Sequence, residues 1–124
     1  MRLAALAALA LSLPAAAQGP PRWTFCTATN AGADEIFMTG VFAADAPSER
    51  LAAAFAKVVA RLGADGTSAR CPSPRADRAI ALRALIGAEA INRELGATLH
   101  AVAASDFPGA GGRPGNAERM ANRE

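Results

Sequence analysis

Aromatic and β-branched residues crowd two runs, Trp23 to Thr29 and Ile36 to Phe42, and the residues between them carry turn chemistry. Asn30, Gly32 and Asp34 tolerate left-handed or side-chain-bonded conformations, so the pattern predicts a β-hairpin with a loop over Asn30 to Asp34. Period two places Ile36, Met38 and Phe42 on one face of the second strand and Phe37 and Val41 on the other. A strand that is apolar on both faces suits the centre of a sheet, with helices on one side and the tail or a partner on the other.

The period then changes. Leu51, Phe55, Val58, Val59 and Leu62 recur at i, i+4, i+7, i+8 and i+11, one face of a helix that Asp45, Pro47 and Ser48 start and Gly63 ends in a left-handed conformation. A loop over Ala64 to Gly66 leads to a short third strand, Thr67 to Cys71. Ser73 and Pro74 read as the N-cap and first position of a second helix, which Gly96 closes. The expected core face of that helix is Ile80, Ala84, Ala88, Ile91 and Leu95, mostly small residues that let it lie close to the sheet. Arg78, Leu82, Ile86, Glu89 and Arg93 lie opposite, with Glu89 and Arg93 spaced for an i, i+4 ion pair. Leu82 and Ile86 are apolar for a solvent face and mark a candidate partner contact; the alternatives are that isolated surface leucines are common, or that the helix phase differs by a third of a turn and Leu82, Leu85 and Ile86 are core.

A last strand runs from Thr98 to Ala104. The order β-β-α-β-α-β predicts an α+β two-layer sandwich, a small and mainly antiparallel sheet with both helices on one face. From Asp106 to Glu124 glycine and proline recur without an apolar period, which predicts a disordered tail; Phe107 is its one aromatic, equipped to dock on the sheet.

The opening of the chain follows a different logic. Arg2, the apolar run Leu3 to Leu13, Pro14 and the small triplet Ala15, Ala16, Ala17 have the order of a secretory signal peptide, cleaved after Ala17. A single-span anchor is the competing reading, but the run is shorter than the roughly 20 residues that cross a bilayer. The expected organisation is therefore a signal peptide over 1–17, one domain over 18–105 and a tail over 106–124, in a periplasmic or secreted protein with no membrane span after cleavage.

Export changes the reading of the two cysteines. In an oxidising compartment Cys26 and Cys71 read as a structural disulfide. A zinc pair would need further ligands and a redox dithiol would normally be Cys-x-x-Cys. Closing a loop of about 46 residues is worth roughly 4 kcal/mol in the chain-entropy model.

Charge removes one class of partner. The formal net charge is +2 and falls to +1 without Arg2, and with no tyrosine and one tryptophan there is little to stack on bases. Nucleic acid is not an expected partner. Arg70, Arg75 and Arg78 flank the start of the second helix, where exposed amides favour anions, and form a candidate anion contact; surface solvation is the competing account because no glycine-rich cradle accompanies them.

Catalytic patterns are sparse. His100 is the sole histidine, too few for a zinc site without several carboxylates or thiolates, and no Gly-x-Ser-x-Gly elbow is present. Carboxylates such as Asp34 and Glu35 sit at a turn, where solvation accounts for them. No cofactor-binding pattern occurs. Two readings follow: an exported non-enzymatic binding or accessory module with a protein or cell-envelope partner, and a small periplasmic hydrolase using His100 with acidic partners. A cleft with a carboxylate beside His100 supports the second, and an open sheet face supports the first.

The Phe25-Cys26 strand, the Phe37-x-x-x-Val41-Phe42 strand, the Phe55-centred helix and Cys71-Pro72-Ser73 together resemble small exported bacterial two-cysteine α/β domains of unknown function. The resemblance spans about residues 23 to 105 and implies no catalytic residues. A comparison with the peptidoglycan-binding SPOR domain, another small exported α/β module, fails on element order, which there is β-α-β-β-α-β.

Overall fold

A computed structural model describes residues 19–107. The expected signal peptide over 1–17 and the part of the expected tail beyond Phe107 lie outside these residues. The strands are β1 (Arg22–Thr24), β2 (Thr27–Asn30), β3 (Glu35–Thr39), β4 (Phe42–Ala44) and β5 (Thr98–Val102), and the helices are α1 (Ser48–Arg61) and α2 (Arg78–Glu94). The α+β class holds, with mostly antiparallel pairing.

The hairpin forms where turn chemistry placed it. Asn30 pairs with Glu35 across a 3-10 turn, Ala31–Ala33, and Asp34 takes the left-handed conformation at φ 53° that short polar side chains tolerate. Each long strand is nevertheless broken in two. Thr27 faces Met38 in one ladder while Thr24 faces Phe42 in the other, so two residues on the first strand span three on the second. This bulge bends the ribbon into a two-stranded sheet, β1-β4, and a three-stranded sheet ordered β2-β3-β5. The Thr39 hydroxyl stabilises the bend by accepting from the Cys26 amide at 2.9 Å and donating to the Gly40 carbonyl at 2.8 Å.

The extra residue reverses the alternation beyond Gly40. Val41, not Phe42, shares a face with Ile36 and Met38, and Phe42 joins Phe37. Strict period two fails here because a bulge shifts the pleat by one position.

β3 is the central strand, as its two apolar faces require, and β5 joins it in parallel with Phe37 beside His100. Phe37, Phe42, Leu51, Phe55, Val59 and Phe107 form one core cluster, while Ile36, Met38, Val41, Phe25, Ala81 and Leu85 form the other. Ile36, Phe37 and Met38 alternate along β3, so α1 and α2 pack on opposite faces of the sheet rather than on one. The face left open in the sandwich expectation is the one a helix covers.

Both helices end in glycine caps. Gly63 (φ 97°) donates to the Ala60 carbonyl and Ala64 to Val59; Gly96 (φ 85°) donates to Arg93 and Ala97 to Asn92. This double bond pattern satisfies carbonyls that the helix leaves orphaned. Leu62 falls at the cap of α1 and is exposed, outside the stripe it was expected to join.

The link between the helices departs from expectation. Gly66–Ser68 is a 3-10 turn, and the third strand survives only as isolated bridges of Arg70 to Thr27 and Arg75 to Trp23. Pro72 and Pro74 lack the amide a ladder needs and hold their predecessors extended. The segment therefore stays straight past Pro74, and α2 starts four residues later, with Asp77 as N-cap accepting from the Ala79 amide at 2.9 Å.

Cys26 and Cys71 are joined with an S–S distance of 2.03 Å. The bond ties this link to the strand it runs beside. Ala104–Asp106 forms a 3-10 turn, and Phe107 is buried against Phe42 and Phe55 at ring separations of 5.7 and 5.5 Å. The ordered unit thus reaches two residues past 105.

Candidate functional site

A polar row crosses one end of the three-stranded sheet. Asn30 and Glu35 are cross-strand partners, and the Asn30 amide donates to Glu35 Oε1 at 3.2 Å. His100 Nε2 lies 2.9 Å from Glu35 Oε2 and donates to it when the carboxyl is ionised. The imidazole stacks on Phe37 with centroids 4.9 Å apart. Parallel pairing of β5 with β3 produces this contact, joining two residues 65 positions apart. The side chains of His100 and Glu35 are 39% and 29% exposed, so the pair is solvent-screened at the uncovered end of a sheet face. The arrangement can hold an imidazole in one orientation. Among the described residues, His100 makes no other side-chain hydrogen bond, and no three His, Cys, Asp or Glu side chains gather as a metal would require.

The three arginines are placed by the extended link. Arg78 lies over the Trp23 ring, 5.5 Å from its centroid, in cation–π geometry. Arg75 pairs with Trp23 through its backbone, and Arg22 Nε and Nη2 both donate to the Pro74 carbonyl. Arg75 and Arg78 therefore both contact Trp23, the first through its backbone and the second through its guanidinium. Arg70 pairs with Thr27, four residues farther along the strand and about 13 Å away at strand rise. The three do not converge on one point. The Asp77 carboxylate caps the helix amides that an anion would use.

The phase of α2 is the largest departure among candidate sites. Ala81 and Leu85 are buried, with Leu82 and Ala88 half-buried against the same cluster. Ile80 is 41% exposed, Ile91 60% and Leu95 77%. The helix is rotated by one residue, roughly 100°, from the expected face. Ile80, Ala84, Ile91 and Leu95 are thus not core: sequence offered two apolar stripes, and packing selected the one carrying Leu85. Ile86 is exposed as expected at 54%, whereas Leu82 contributes to the core, so the two do not form an exposed strip. The expected Glu89–Arg93 pair does not form; among the described residues the one contact between basic and acidic side chains is His100–Glu35.

The uncovered stripe runs Ile80, Ala84, Gly87, Ile91, with Leu95 at the cap. A Cβ added at Gly87 would meet nothing within 4 Å. Sequence reasoning missed this face because it assigned it inward; the signal was the equal claim of two stripes on one helix. It missed the Glu35–His100 pair because strand register across a long connection is not locally encoded. Comparison with known proteins gives no match to a family model, to a curated protein or to a solved structure.

Proposed function

We propose that this chain is an exported, non-enzymatic binding or accessory module that engages a protein partner through the uncovered face of α2. One observation carries the reading: of the five large exposed hydrophobic residues among the described residues, Ile80, Ile86, Ile91 and Leu95 lie on α2 or its cap. Scattered apolar residues on a surface need no explanation, but a concentration on one element marks a contact region. The Cys26–Cys71 disulfide is compatible with an oxidising compartment, and together with the signal-like opening it supports a periplasmic or extracellular reading. No helix among the described residues is long and apolar enough to cross a membrane.

The hydrolase reading has the Glu35–His100 hydrogen bond in its favour, since a carboxylate that fixes an imidazole is half of a general-base device. It requires a substrate-bound water or a nucleophile beside His100. Turnover of ester or peptide test substrates that His100→Gln abolishes would favour it.

The test of the binding reading is cross-linking in an envelope fraction with the native domain and an Ile80→Glu, Ile91→Lys double variant. Both positions are exposed, so circular dichroism and the thermal midpoint should be unchanged. The variant should lose the cross-linked partner. A folded variant that captures the same partner at the same yield would overturn the reading.

A further inference from the structure

We infer that the occupant of this face is a second copy of the same chain, docked through α2 against α2 in antiparallel orientation; the inference rests on the binding reading above. The spacing is the first argument. Ile80, Ala84, Gly87 and Ile91 recur at four, three and four residues, the seam of a helix that packs lengthwise on another. All four are exposed on a helix whose other apolar stripe already faces the sheet.

Size complementarity is the second. With the two helices antiparallel and the symmetry axis between Gly87 and Ala88, Ile80 faces Leu95 of the second copy and Ala84 faces Ile91. Ala84 and Ile91 then pair small against large, while Ile80 and Leu95 are two large side chains that close each end of the seam. Gly87 lies beside the axis, where the open space at its Cα lets the backbones approach.

Charge selects the direction. Arg83 and Glu94 are exposed, project along the same flank of the seam, and make no ion pair among the described residues. In the antiparallel register Arg83 lies within about 3 Å, measured along the axis, of the level of Glu94 of the second copy, and symmetry repeats the pair at the other end. A parallel pairing would instead put the two Arg83–Glu94 flanks on opposite sides of the seam, where neither charge meets its opposite. The antiparallel orientation alone brings the opposite charges together across the interface.

One face of a helix of 17 residues is smaller than a standard interface of about 800 Å² per partner, so the dimer is weak and concentration-dependent. Sedimentation velocity on the oxidised chain from Gln18 onward should show a weight-average coefficient that rises with concentration. Ile91→Lys should abolish the rise. Arg83→Glu and Glu94→Arg, each at an exposed position, should each weaken association, and the double exchange should restore it. Far-UV circular dichroism checks that every variant remains folded.

Failure of the double exchange to rescue would overturn the antiparallel register. A protein that stays monomeric to millimolar concentration, yet loses its envelope cross-link on Ile91→Lys, would overturn the second copy as occupant and leave the binding reading standing. A monomer whose cross-links ignore Ile91→Lys would overturn both.

Discussion

Phe107 closes the cluster that Phe55 organises. Phe55 is fully buried and touches Phe107 in a tilted arrangement, while Phe42 meets Phe107 edge-on at 87°, so each ring packs on another without a perfect face-to-face contact. Phe55→Ala should cost roughly 3–5 kcal/mol in chemical denaturation, and Phe107→Ala should lower stability in the same direction, because each leaves a cavity among rings that cannot collapse far. Unchanged midpoints would remove these residues from the core. Asp65 tests a different kind of contact: its carboxylate accepts from the Thr67 hydroxyl at 2.8 Å and the Thr67 amide at 3.0 Å. The hydroxyl first and the amide second hold its pKa below the ordinary carboxylate value. A folded-state pKa below the unfolded one stabilises the fold above the unfolded pKa, and this contribution disappears as pH falls through the folded pKa. Asp65→Asn should therefore lower stability at neutral pH and flatten the acid limb of the stability profile below about pH 4, near the unperturbed carboxylate value, where the two proteins converge. An unaltered acid limb would show that the turn gains nothing from ionisation.

Glycine caps and the α1 stripe were legible because each is specified within a few residues. Leu51, Phe55 and Val59 are fully buried, and Gly63 and Gly96 carry the positive φ that their positions after helices demand. The N-terminus of α2 was misread for a local reason with a distant cause. Ser73-Pro74 is good capping chemistry, but pairing of Arg75 with Trp23 keeps the chain extended until Asp77 takes the cap. The phase of α2 was not legible, since Ile80, Ala84, Ile91 and Leu95 make as good an apolar stripe as Ala81, Leu85 and Ala88. What decides is close approach to Phe25, Ile36 and Met38, and those residues are far away in sequence. Leu82 and Ile86 separate the two phases. Ile86→Lys should leave the thermal midpoint nearly unchanged, within the roughly 0.5 kcal/mol typical of surface substitutions. Leu82→Glu should destabilise, because it sets a carboxylate against the cluster of Phe25 and Leu85. Equal effects at both positions would contradict the observed rotation.

Two small core clusters on opposite faces of a three-stranded sheet leave little redundancy, and the disulfide compensates for it. The bulge at Gly40 that splits the ribbon, the parallel pairing of β3 with β5, and the helices on separate faces all depend on contacts between distant segments, which a pattern of apolar positions does not encode. The cysteine pair was legible because an even count behind a signal-like opening has few alternatives. Cys26 is fully buried beside the bend, and Cys71 lies in the link whose bridges at Arg70 and Arg75 are too isolated to hold it as a strand. The covalent bond therefore replaces a ladder that Pro72 and Pro74 prevent. With its ends 45 positions apart in sequence, its main effect is on the unfolded chain, worth roughly 4 kcal/mol in the loop-entropy account. Replacing both cysteines by alanine should lower the unfolding free energy by about that amount, a large share of the 5–15 kcal/mol typical of a native domain. The denaturant slope should rise, because an uncrosslinked unfolded chain exposes more surface. A free energy and slope both unchanged in the double variant would show that the paired backbone of Thr27, Arg70, Trp23 and Arg75 fixes the link without the bond.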